Sequence, residues 1–226
     1  GTGNLSYVTL QNGGGDAGFG MPATPGDEPI CQDCVFPPIH IKDVQDGQVR
    51  IEHSTIQGNG NTWYWRTDGI INIYNSRVVL ADNQFLDNGV AMDRADHIPG
   101  ENWGIVAWGA NTDLTMTGNT FENNLGWNVL SEGRFHLDGN VFRDQPYGVK
   151  IYTNAGTTLT NNVFADLSKD ALYLGSSAQA TAAHTTLARN AGNAVHVHSG
   201  ANLTLTNSIL AENATGVYLQ GTGVAT

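Results

Sequence analysis

Two short segments concentrate the side chains with which proteins hold sugars. Trp63-Tyr64-Trp65-Arg66-Thr67-Asp68 joins three aromatic rings to a guanidinium and a carboxylate, and Asp93-Arg94-Ala95-Asp96-His97, followed by Glu101 and Trp103, repeats the theme with more charge. Flat rings stack on sugar faces, while carboxylate and Arg groups bond hydroxyls or uronates. On this reading Trp63, Tyr64, Trp65, Arg66, His97, Glu101 and Trp103 touch substrate. In the plainer reading the rings tuck two loops onto the body and the charges form a solvated rim.

A second set is dispersed along the chain: Tyr74, Trp108, Glu132, Lys150, Tyr152, Tyr173 and His196. A uronate lyase needs a base beside a carboxylate and a cation to neutralise it, roles open to Lys150, Tyr152 or His196 as base and Arg94 as neutraliser. A glycosidase needs two carboxyl groups about 5 to 10 Å apart, for which Glu132 and one of Asp93, Asp96 or Glu101 are candidates. Cys31 and Cys34 form a CxxC spacing without a βαβ pattern around it, which favours a local disulfide over a redox centre. Free thiols, or a metal site recruiting His40 or Asp33, are the alternatives, since two cysteines alone cannot close a zinc site.

Composition narrows the partners. The 226 residues carry a net charge of −11, which repels nucleic-acid phosphates and anionic membrane. No apolar run approaches the roughly 18 residues of a membrane span, and the first residues lack the basic and apolar regions of a signal peptide. The expectation is one domain over residues 1–226, cut from a longer chain.

What must position these residues is a repeat. Leu114-Thr115-Met116-Thr117-Gly118-Asn119-Thr120-Phe121 recurs as Phe135 to Phe142, Thr157 to Phe164 and Leu203 to Leu210. Anchored on the last apolar residue, at 121, 142, 164, 187 and 210, the steps are 21, 22, 23 and 23 residues. A second short alternating strand follows each anchor. No such repeat can bury its apolar face alone, so the coils must stack, and strands of this length stack most simply as a parallel β-helix of about eight coils. Gly and Asn supply positive φ at the turns, and Thr favours the extended backbone between them. The Ala-rich stretch 176–190 also suits a helix locally, but Leu187 keeps the repeat spacing.

Earlier anchors, Leu10, Ile56 and Phe85, are separated by longer steps that exceed a 22-residue coil by 24, 7 and 14 residues. The excess falls each time between the anchor and the second strand, so three loops are expected side by side on one edge. Asn83, Asn119, Asn140 and Asn162 stand two residues before their anchors, with Ser54, Thr185 and Ser208 in the same place elsewhere, and are expected to bond in a column. On the second strand, alternation turns outward the columns Asn72, Val106, Leu130, Lys150, Tyr173, His196, Tyr218 and Tyr74, Trp108, Glu132, Tyr152, Gly175, His198, Gln220.

Through the Leu/Val/Phe-x-Leu/Met-x-x-Asn-x-Phe pattern the chain resembles, over nearly its whole length, the right-handed parallel β-helix proteins of the pectate-lyase-like superfamily. The resemblance implies asparagine ladders and a substrate groove on an exposed strand face. Its catalytic signatures do not carry over. Of the polygalacturonase motifs only Asn111-Thr112-Asp113 is present, the clustered aspartates of calcium-dependent pectate lyases are missing, and Asp96-His97 lacks the proline of alginate epimerases. No cofactor is expected, with Ca2+ left open. Threonines 115, 117, 158, 160, 181, 204 and 206 on the first strand are similar to ice-binding rows, but Val79, Ala81, His136 and Asp138 interrupt them.

Three functions follow as expectations. One is an extracellular or cell-surface module, of bacterial adhesin type, that recognises polysaccharide. The second is a polysaccharide lyase or glycoside hydrolase using the same groove. The third is a structural rod joined to flanking domains or to end-to-end copies.

Overall fold

A computed structural model describes residues 3–6, 8–11, 39–44, 48–59, 69–89, 103–152 and 156–226, with Leu10, Gln11, Gly69 and Trp103 described by backbone alone. Its strands wind through three parallel sheets. Sheet 1 holds nine strands, from Gly3–Ser6 to Val224–Ala225; sheet 2 holds eight, from Thr9–Gln11 to Ile209–Ala211; sheet 3 holds eight, from Ile39–Lys42 to Thr215–Leu219. Each coil gives one strand to each sheet in turn and pairs with the coils before and after it. Thus Leu114 faces Val78 on one side and Phe135 on the other. Eight coils and three strands per coil match the expected solenoid, the third strand being the short one that carries the anchor. Residues 179–183 and 186–188 are strands, so the repeat spacing overrides the local helical preference of their alanines.

The corners explain why the repeat is so regular. Among the described residues, the one entering sheet 2 has positive φ in each of seven coils: His53, Asp82, Gly118, Gly139, Asn161, His184 and Asn207. So does the residue leaving it: Gly58, Asp87, Asn123, Asp144, Asp166, Arg189 and Glu212. The left-handed conformation reverses the chain in one step, and Asn, Asp and Gly adopt it at least cost.

Immediately after each of these residues comes a ladder position. The Oδ1 of Asn119 accepts from the backbone N–H and the amide of Asn83, both at 3.0 Å, and Asn119 donates in the same way to Asn140. Asn140 continues to Asn162, Ser54 begins the column, and Thr185 with Ser208 ends it. Each amide also donates to a carbonyl of the preceding coil, as Asn119 does to Leu80. A second ladder, unforeseen from the sequence, runs three residues after the anchors through Asn59, Asn88, Asn124 and Gln145, lapses at Leu167, and resumes at Asn190 and Asn213.

Between the ladders the anchors fill the interior. Phe85, Phe121, Phe142 and Phe164 stack with centroids 4.5 to 4.7 Å apart and planes within 10°. The three insertions leave from one corner: each separates a sheet 2 strand, Thr9–Gln11, Thr55–Gln57 or Gln84–Leu86, from the sheet 3 strand that follows, Ile39–Lys42, Gly69–Tyr74 or Trp103–Trp108. Segments 12–38, 60–68 and 90–102 lie outside the described residues.

Removing one rung strands buried donors and acceptors on both neighbours. Asn119→Ala should lower the unfolding free energy by about 3 kcal/mol, read from urea titration. Thr181→Ala, exposed on sheet 1, should change it by less than about 0.5 kcal/mol; equal effects would deny the ladder its role.

Candidate functional site

The outward face of sheet 3 and its edge carry the dispersed set: Tyr74, Trp108, Glu132, Lys150, Tyr152, Tyr173 and His196. Registers confirm the first expected column throughout and the second at Tyr74 and Trp108. Asn72, Val106, Leu130, Lys150, Tyr173, His196 and Tyr218 are cross-strand partners in succession, and His40 precedes them. Tyr74 pairs with Trp108 and is preceded by Lys42. The face is nevertheless less open than alternation predicts. Val106 is 1% exposed and Leu130 4%, packed with Trp127, Tyr147 and Tyr173 into a small apolar cluster outside the coil.

That cluster reveals a third column, two residues before the inward position of each strand: Trp127, Tyr147, Asp170, Asn193 and Thr215, with the backbone of Trp103 in register ahead of them. Pairing of Trp127 with Trp103, and of Asn193 with Thr215, sets its register. The residue between it and the inward position is small in most coils, Gly104, Gly148, Ala171, Ala194 and Gly216. A side chain at Gly148 would collide with the carbonyl of Ala171. The tight corner thereby swings the preceding residue outward, where simple alternation would send it in. The aromatics at 103, 127 and 147 were the available signal. Trp103 accordingly begins a strand rather than ending a loop.

Lys150 stands at the centre. Its Nζ lies 5.6 Å from the ring of Trp127, 5.0 Å from Tyr152 and 5.2 Å from Tyr173. Such contacts act on the ammonium ion, which suits charge neutralisation better than proton abstraction. The rings continue edge to face from Tyr173 to His196 at 4.7 Å and from His196 to Tyr218 at 4.8 Å. Nδ1 of His196 is 3.0 Å from Oδ2 of Asp170 and Nε2 is 3.0 Å from Oε1 of Gln220. Asp170 also accepts from the amide of Asn193 at 2.7 Å. Both imidazole nitrogens are thus engaged within the protein. Toward the N-terminus, Tyr74 props Trp108 at 4.4 Å, tilted by 48°, and Lys42 lies 5.8 Å from the Tyr74 ring. Glu132 is exposed between Trp108 and Tyr152.

Burial pushes the phenols of Tyr147, Tyr152 and Tyr173 above the usual tyrosine range, with Asp170 adding to Tyr147, Glu132 to Tyr152, and Tyr152 then Asp170 to Tyr173. Tyr152 therefore keeps its proton at neutral pH and can donate a hydrogen bond. Trp63, Tyr64, Trp65, Arg66, Asp93, Arg94, Asp96, His97, Glu101, Cys31 and Cys34 lie outside the described residues, as does the side chain of Trp103. Among the described residues no three His, Cys, Asp or Glu side chains gather as metal ligands.

Phenols raised in the folded state hold their protons more tightly than in the unfolded chain. Their contribution to stability is complete below the unfolded value near 10 and is lost as pH rises through the folded ones. Phenolate absorbance at alkaline pH should lag behind that of the urea-unfolded chain, and Tyr173→Phe should shrink the lag; superimposable titrations would contradict the packing.

No curated protein and no solved structure matches the chain significantly. The family model described as "Right handed beta helix region" matches residues 30–164 and, in an overlapping second match, 104–226. With three parallel sheets and a ladder at two corners of the coil, the chain belongs to the right-handed β-helix family.

Proposed function

We propose that this domain recognises polysaccharide at the outward face of sheet 3, as an extracellular or cell-surface module. One observation supports this above the others: a lysine held among three aromatic rings on a strip that also presents Trp108, Tyr152 and Tyr218, exposed by 45%, 39% and 45%. Rings offer apolar faces to sugars, and the ammonium and phenols offer donors to hydroxyls or acidic groups. Lys42 and Lys150 bring cations to this face, and Asp170 bonds His196 and Asn193.

The enzymatic reading, a lyase or hydrolase on the same strip, has one observation in its favour. Asp170 orients His196 as a general base is commonly oriented. Gln220 on the opposite nitrogen would have to be displaced by substrate.

Titration calorimetry with polygalacturonate, alginate, xylan and glucomannan decides between these readings. Binding of at least one without new reducing ends or unsaturated products supports the module, and Lys150→Ala should weaken it about tenfold with an unchanged circular dichroism spectrum. Products that disappear in His196→Ala would replace the module by the enzyme. Lack of binding to all four would leave only the structural rod.

A further inference from the structure

We infer that Ser176 and His198 form a hydrolytic site for short-chain carboxylic esters, at the corner where sheet 3 passes to sheet 1. Neither residue has a part in the readings above, and the site does not depend on glycan recognition. Oγ of Ser176 lies 3.0 Å from Nδ1 of His198 in the next coil. With the imidazole proton on Nε2, Nδ1 accepts the hydroxyl proton, which is the relation of a serine nucleophile to its base. Ser176 is exposed and His198 half-buried, so substrate can reach the hydroxyl while its base is held.

The turn supplies the second requirement. Ser176 and Ser177 are its middle residues, and the Ala178 N–H closes it on the Gly175 carbonyl at 3.0 Å. Ser177 holds φ +67°, a left-handed conformation that the next coil gives to a glycine, Gly200 at +80°, and that costs a serine more. Its N–H meets no acceptor among the described residues. Gly200 places no side chain over it, and even an added methyl group there would stay 3.8 Å from that nitrogen. A free donor on the residue after the nucleophile suits the negative oxygen of a tetrahedral intermediate.

Two other hydroxyls show what is particular to Ser176. Ser199, in the same place one coil on, bonds Thr222 Oγ1 at 2.9 Å, and the N–H that follows it, on Gly200, donates to the same oxygen at 3.1 Å. Thr158 meets His136 at 2.7 Å, but within paired strands of sheet 1, whose N–H groups belong to the ladder. Neither joins a base to a free donor. The walls set the size of the acyl group. The Tyr152 ring covers Gly175, where an added methyl group would collide with Cδ1 and Cε1, and Tyr173 stands 6.3 Å from the His198 ring. Two rings beside the hydroxyl suit a short apolar acyl group such as acetyl.

As Oγ attacks the acyl carbon, its proton passes to Nδ1. The acyl–oxygen bond then breaks, and the same proton leaves with the alkoxide as alcohol. Water attacks the acyl-serine in the second half, giving a proton to His198, which returns it to Ser176 as the carboxylic acid departs. One ester and one water yield one acid and one alcohol.

The test follows release of 4-nitrophenol from its acetate and palmitate esters by the full chain, with peptide mass mapping for an acyl group on Ser176. Acetate should be cleaved above the rate in buffer and faster than palmitate. Ser176→Ala should return release to the buffer rate and abolish the adduct, His198→Ala should slow it about hundredfold, and Ser199→Ala should leave it unchanged, each with the wild-type circular dichroism spectrum. Release no faster than in buffer, release indifferent to Ser176→Ala, or acyl groups on Lys150 or tyrosine but not on Ser176 overturns the assignment and leaves glycan recognition standing.

Discussion

Backbone hydrogen bonds between successive coils impose one translation on everything this chain builds. Every strand pairs in parallel with its equivalent one coil away, in the same register from sheet to sheet. Peptide groups in a strand find partners automatically, but those at a corner do not, and buried ones must be satisfied somehow. The protein solves this with side chains that repeat at the same rise. An asparagine amide both accepts and donates, so a column of them mimics the missing sheet at the bend. The stacked phenylalanines obey the same translation from within.

The constraint shapes the candidate site as well. A residue placed on the outward face of sheet 3 in one coil has its counterpart directly above in the next, so a handful of aromatic positions becomes a ribbon of touching rings. Lys150 enters that ribbon where Trp127, Tyr152 and Tyr173 converge, from three adjacent coils and three different columns. Local sequence around Lys150 would not suggest this company. Only the stacking does.

The fold was legible because its determinants are periodic. Anchors and alternating strands recur at nearly constant spacing, and the first ladder was visible in Asn83, Asn119, Asn140 and Asn162. The second ladder has equally regular spacing, but Gln145 and Leu167 break its run of asparagines and hide it from pattern reading. The site was legible in two of its three columns. The third, with Trp127, Tyr147 and Asp170, depends on a corner where small residues disturb strict alternation, which is a property of backbone geometry and not of side-chain period. Burial of Val106 and Leu130 on the outer face was likewise invisible to a rule that assigns outward residues to solvent.

Two rungs of the second ladder, Asn59 and Asn88, precede glycine, and the second bears on how the protein ages. Asn88 is followed by Gly89, the dipeptide context in which an asparagine most readily loses ammonia through a cyclic imide, and asparagine is among the thermolabile residues. That reaction needs the glycine nitrogen to attack the side-chain carbonyl. Here the nitrogen is committed to the carbonyl of Asn59 at 2.8 Å, and the amide is held by Ile56 and Asn124. The intact stack thus shields this Asn-Gly bond. A coil that opens long enough to deamidate would return as aspartate, without the donor its neighbour requires, so each such event would make the next opening easier and turn transient fraying into permanent chemical wear.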